Sequence, residues 1–108
     1  MTTDFSVAIP HRMRPEQTLY RLKTFATGAK REYAEFVDIS REAWSARGCE
    51  FALTLHLYGK RRVAGTLRVD ASHVHVQGRA QFPPVFRSRI ERVIASEVSR
   101  LLPRVRAY

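Results

Sequence analysis

Apolar and polar residues alternate from Phe5 to Pro10, with Phe5, Val7 and Ile9 on one face, which predicts a short first strand ended by Pro10. Pro15 suits the first turn of a helix, and Glu16 beside it complements the positive N-terminal dipole. Leu19, Leu22, Ala26, Ala29 and Tyr33 then recur at helical spacing and form the buried stripe of an amphipathic helix. Arg21, Lys23, Lys30 and Arg31 fall mostly elsewhere on that wheel, and Gly28 weakens its middle by about 1 kcal/mol relative to alanine.

After Glu35 the period changes to two. Val37, Ile39 and Arg41 lead to Trp44, and Gly48 marks a turn. Phe51, Leu53, Leu55 and Leu57 alternate with Ala52, Thr54, His56 and Tyr58, the clearest strand pattern in the chain. A turn at Tyr58-Gly59-Lys60 leads to Val63, Gly65, Leu67 and Val69, and another at Ala71-Ser72 leads to Val74 and Val76. Short links between consecutive strands describe an antiparallel meander with one packed face and one wet face.

Phe82-Pro83-Pro84 cannot continue a strand ladder. Beyond it, Phe86, Ile90, Val93, Ile94, Val98, Leu101 and Leu102 form a second helical stripe that Pro103 should end. Arg87, Arg89, Arg92, Ser96, Ser99 and Arg100 occupy its other face. The predicted architecture is an α+β fold of two layers, one antiparallel sheet in β-α-β-β-β-β-α order with both helices packed on one face. Its 108 residues suit a single domain, residues 1–108, with a core from about 5 to 102.

Charge adds a second feature. Lys and Arg number 19 against 10 Asp and Glu, a formal +9 that attracts polyanions or acidic surfaces without bearing on the fold. The bases are dispersed, with mild clusters at Arg12/Arg14, Lys30/Arg31, Lys60/Arg61/Arg62 and Arg87/Arg89/Arg92. Arg87, Arg89, Arg92 and Arg100 are therefore the candidate surface-binding residues. The lone Cys49 cannot form an intrachain disulfide, and no apolar stretch approaches the length of a membrane span. MTTDFSVAIPHRMR lacks the charged and apolar blocks of a signal peptide, so a cytoplasmic location is expected.

No catalytic set stands out. The chain has no P-loop, dinucleotide glycine fingerprint, nucleophile elbow or HExxH, and Glu50 and Asp70 lie at strand ends where carboxylates are solvated. His73 and His75 share a strand face, with His56 expected on the same face of a nearby strand; a metal needs a fuller ligand set than these provide. No cofactor or metal site is expected. Trp44, Phe86 and Ile90 are candidates for the core or for the wall of a ligand cavity between the sheet and the last helix.

The opening FSVAIPHRMRPEQTLYRLK, with Ile9-Pro10-His11 between a strand and a helix bearing Arg21-Leu22, resembles the start of the polyhydroxyalkanoic acid system proteins. Glu42-Ala43-Trp44, the run Gly65-Thr66-Leu67-Arg68-Val69 and the passage through Pro83 fit the same pattern, so the resemblance extends from about Phe5 to Leu102. That family consists of small bacterial proteins associated with gene regions for polyhydroxyalkanoate storage granules and has no established enzymatic activity. The resemblance implies a non-enzymatic accessory protein that binds the granule surface or granule proteins. The residues leave two alternatives open: a nucleic-acid-binding module using the basic surface, and a carrier of a fatty-acyl or lipid ligand.

Overall fold

A computed structural model describes residues 1–102. Pro103, expected to end the second helix, lies outside the described residues. The elements are β1 (Thr3–Pro10), α1 (Pro15–Glu32), β2 (Val37–Trp44), β3 (Gly48–His56), β4 (Lys60–Val69), β5 (His73–Ala80), a single 3₁₀ turn (Pro84–Phe86) and α2 (Arg87–Leu101). Element order and fold class agree with the α+β reading. All strand pairs are antiparallel, and the sheet runs β1-β5-β4-β3-β2. The meander is thus β2 to β5, and β1 closes onto β5 across most of the chain length.

Period-two alternation decides the two faces. Phe5, Val7 and Ile9 lie opposite Gly78, Val76 and Val74, and this inner face continues through Leu67 and Val63 on β4 to Cys49, Phe51 and Leu53 on β3. Phe5, Ile9, Leu22, Val69, Val74, Val76, Ala80 and Leu102 form the buried core. The outer face is polar, with Asp4, Arg79, Arg68, His75, Glu50 and Arg41 among its residues. Arg79 pairs with Asp4 at 2.9 Å and Arg41 with Glu50 at 2.8 Å.

Gly65 and Gly78 stand side by side in the middle of the inner face, with Phe5 beyond one and Phe51 beyond the other. A Cβ on Gly78 would lie 2.2 Å from the Ala64 carbonyl oxygen and 2.9 Å from Cζ of Phe5. The phenylalanine ring fills the space that a side chain would need, so this row packs only with glycine at its centre.

β2 departs from simple alternation. Its register with β3 shifts between Ile39 and Arg41, so that Ser40 is an extra residue. The Ser40 hydroxyl donates to the Ala52 carbonyl at 3.1 Å, occupying an acceptor at the bulge. Beyond this bulge the parity inverts. Arg41, expected to share the face of Val37 and Ile39, turns outward opposite Ala52, while Glu42 and Trp44 turn inward opposite Phe51 and Cys49. Leu57 also departs from the expected pattern: it lies in the β3–β4 turn, 48% exposed, beside Tyr58 at φ 54° and Gly59 at φ 93°.

Both helices contribute apolar residues to the inner-face cluster. α2 packs chiefly on the edge strand β1, while α1 touches α2 and reaches the sheet at β4. Glu91 of α2 accepts a 2.8 Å hydrogen bond from the Ser6 backbone N–H on the free rim of β1. Because α2 sits toward an edge, its covered stripe is narrower than expected. Ile90, Ile94, Val98 and Leu101 pack inward, but Val93 is 56% exposed. No described helix is long and apolar enough to cross a membrane.

Candidate functional site: an apolar groove with one polar corner

Where α1 stands off from β2 and β3, the two layers leave an apolar groove of about 350 Å³. That volume is within the range of small-ligand sites, about 300–1,000 Å³. Leu22, Phe25, Ala26 and Ala29 of α1 form one wall, and Ile94, Val98 and Leu101 of α2 continue it. Cys49, Phe51, Leu53, Leu67 and Val76 form the sheet side, with Val37, Ile39 and Tyr33 toward the β2 edge. Ile39 and Tyr33 are 39% and 44% exposed, so the groove opens on that side.

The groove has one charged corner. Lys30, in the last turn of α1, forms an ion pair with Glu42 of β2, bridging helix and sheet. The Trp44 indole N–H donates to the same carboxylate at 2.7 Å. Glu42 is in this position because of the bulge; with uninterrupted alternation it would face solvent on the other side. The Lys30 bond, followed by that of Trp44, holds the Glu42 carboxyl below the ordinary value for glutamate, so it is ionised at neutral pH. Burial pushes the Cys49 thiol upward, which disfavours the reactive thiolate.

Of the candidate cavity residues, Trp44 lines the groove and Ile90 packs against the core. Phe86 does neither: it is 37% exposed and meets Phe82 edge-on at 6.0 Å between ring centroids. The arginines expected to form a binding surface are partly neutralised. Arg87 pairs with Glu91 at 3.6 Å and Arg100 with Glu97 at 2.7 Å. Arg89 and Arg92 have no hydrogen-bond or ion-pair partner among the described residues. Phe25 and Glu42 were not legible as site residues, and Lys30 read as a solvated lysine. The adjacency of Glu42 to an inward tryptophan becomes informative only once the bulge is known.

The histidines separate. His73 and His75 lie on the outer face with ring centroids 5.9 Å apart. His56 lies on that face too, but pairs with Asp38 at 2.6 Å near the other end of β3. Among the described residues there is no group of three or more His, Cys, Asp and Glu side chains arranged to hold a metal.

His11 is buried, 4% exposed, and joins two turns. Its Nε2–H donates to the Asp70 carbonyl at 2.8 Å, while Nδ1 accepts from the Met13 N–H at 3.2 Å and lies 3.2 Å from the fully buried Thr18 hydroxyl. Satisfying Met13 requires the neutral Nε2–H tautomer. The Asp70 carboxylate in turn organises the β4–β5 turn. It accepts from the Ser72 and His73 backbone N–H groups at 2.9 and 2.7 Å and pairs with His75 at 2.7 Å.

The Ser72 amide, then His75 and the His73 amide, hold Asp70 well below the usual carboxylate range. Because its folded value lies below the unfolded one, ionised Asp70 supports the fold above about pH 4, and that support fades as the pH falls. Asp70→Asn is therefore expected to lower stability near neutrality and to flatten its acid limb. Urea melts of both proteins across the acid range measure this, and parallel profiles would refute it.

A comparison of the chain with protein-family models, curated proteins and solved structures finds no match.

Proposed function

We propose that this is a non-catalytic binding protein that holds an apolar acyl chain in the groove between its helices and β2–β3. The observation that carries this reading is the groove itself, about 350 Å³ with a lining that is apolar except at one corner. A sheet and its covering helices normally pack without such a space, since interior voids forfeit dispersion contacts. In the setting implied by the family resemblance, the chain belongs to polyhydroxyalkanoate or its building blocks, and the protein is an accessory at the granule.

Trp44 is the only tryptophan and lines the groove, so its emission reports occupancy directly. Titration with decanol is expected to give a saturable change. Ala26→Leu places a larger side chain in the groove and is expected to weaken that binding by about tenfold or more while stabilising the fold by about 1 kcal/mol. The same variant should lose salt-resistant co-sedimentation with polyhydroxyalkanoate granules. No saturable response in the wild type, or equal binding by the variant, would remove the groove reading.

A second reading, nucleic-acid binding, draws on the +9 charge and on Arg89 and Arg92, which have no ion-pair partner among the described residues. The ion pairs that occupy Arg41, Arg79, Arg87 and Arg100 weigh against a continuous phosphate track. Binding to bulk nucleic acid that falls steeply with salt, and is lost on replacing Arg89 and Arg92, would favour it.

A further inference from the structure

We propose that the groove selects acyl chains with an uncharged polar end, such as an ester or an alcohol, over free fatty acids, and that Glu42 sets this preference. The proposal rests on the groove reading above and concerns the chemistry of its one polar corner.

Among the described residues, the lining presents a single full positive charge, Lys30, and a single full negative charge, Glu42, already paired with each other. The carboxylate is the more enclosed partner: the Glu42 side chain is 18% exposed and that of Lys30 42%. Trp44 commits its indole N–H to the same carboxylate, which fixes it from a second direction. A fatty-acid head entering here would bring a second carboxylate beside the first, with one ammonium between them. Like charges in a partly desolvated site disfavour each other strongly, more so than in bulk water.

An ester or alcohol avoids this conflict. An ammonium has three donors and a carboxylate about four acceptor sites, so the existing pair leaves capacity on both members. An ester carbonyl can accept from Lys30, and an alcohol can donate to Glu42, with neither charge losing its partner. The overall +9 acts in the opposite direction by drawing anions toward the protein. That field is long-range and screened over about 10 Å at ordinary salt, so within the groove the local carboxylate decides. The preference is of the kind produced by a built-in repulsive element rather than by extra attraction.

The test is a Trp44 emission titration with decanoate, methyl decanoate and decanol at fixed pH and salt, below the concentrations at which they aggregate. The wild type is expected to bind the ester and the alcohol about tenfold more tightly than the acid. Glu42→Gln removes the fixed charge and leaves Lys30 to attract anions, so the ester-over-acid preference should fall by about tenfold or invert. If that variant fails to fold, Lys30→Met provides the second arm, because it leaves Glu42 uncompensated and should widen the preference. Wild-type protein that binds decanoate as tightly as the ester would overturn the selection while leaving the groove reading intact. Binding of none of the three would overturn both. A preference unchanged in a folded Glu42→Gln protein would also overturn the assignment to Glu42.

Discussion

Gly78→Ala is expected to destabilise the protein by about 3 kcal/mol, lowering Tm by roughly 12 °C in a thermal melt. The added Cβ would sit 2.2 Å from the Ala64 carbonyl oxygen, 2.8 Å from Cα of Gly65 and 2.9 Å from Cζ of Phe5. The first two are backbone atoms of the adjacent strand and cannot rotate away. Relief requires β4 and β5 to part in the middle of the sheet, or Phe5, only 2% exposed, to leave the core. Either movement disturbs the floor on which both helices rest. A Tm within a degree or two of wild type would mean that the ladder spreads at little cost, and that the row of phenylalanines and glycines is not a tight constraint.

His11→Ala is expected to cost about as much, roughly 3 kcal/mol, from a different cause. Alanine keeps the His11 backbone N–H bond to the Ser72 carbonyl at 2.8 Å but removes every ring contact. The Asp70 carbonyl and the Met13 N–H then lose their imidazole partners, and a cavity opens beside Thr18. That backbone bond would then be left as the main tie between the β1–α1 loop and the β4–β5 turn, loosening the entry to α1 and with it one wall of the groove. Urea denaturation measures the loss, and a double-mutant cycle with Thr18→Val should return a coupling of about 1 kcal/mol. A loss below 1 kcal/mol would show that water replaces the ring. The distinctive Ile-Pro-His segment thus has a physical role as a fastener between two turns, independent of any ligand.

The features readable from the sequence are those that depend on local periodicity. Phe51, Leu53 and Leu55 alternate because one side of β3 faces the core, and Leu19, Leu22 and Ala26 recur because one side of α1 does. The element order follows from those patterns and from the prolines and turn residues between them. The pairing of β1 with β5 brings Phe5 to Gly78, a contact with no local signature. The bulge at Ser40 is equally silent, since one extra residue in a short strand resembles imperfect alternation. Without it, Arg41 reads as inward and Glu42 as outward, which conceals the polar corner. Val93 was expected to be buried because helical spacing marks an apolar stripe but not how far over the sheet the helix lies. A cavity between the sheet and the last helix was anticipated, with Trp44 in its wall, but not its extension along α1 and β2, which depends on the distance between layers.

The bulge also acts on the exterior of the fold. β2 is a sheet edge, and a flat edge of unpaired N–H and C=O groups invites another chain to add a strand, the first step toward fibrils. An extra residue at Ser40 breaks the regular spacing of those groups, and the charges of Asp38 and Arg41 flank the break. The opposite edge is guarded by other means, with Glu91 holding the Ser6 N–H and proline ending the strand. A chain with an open apolar groove carries an inherent aggregation hazard, and β2 lies directly beside that groove. The irregularity that turns Glu42 into the groove therefore also protects the neighbouring edge from self-association.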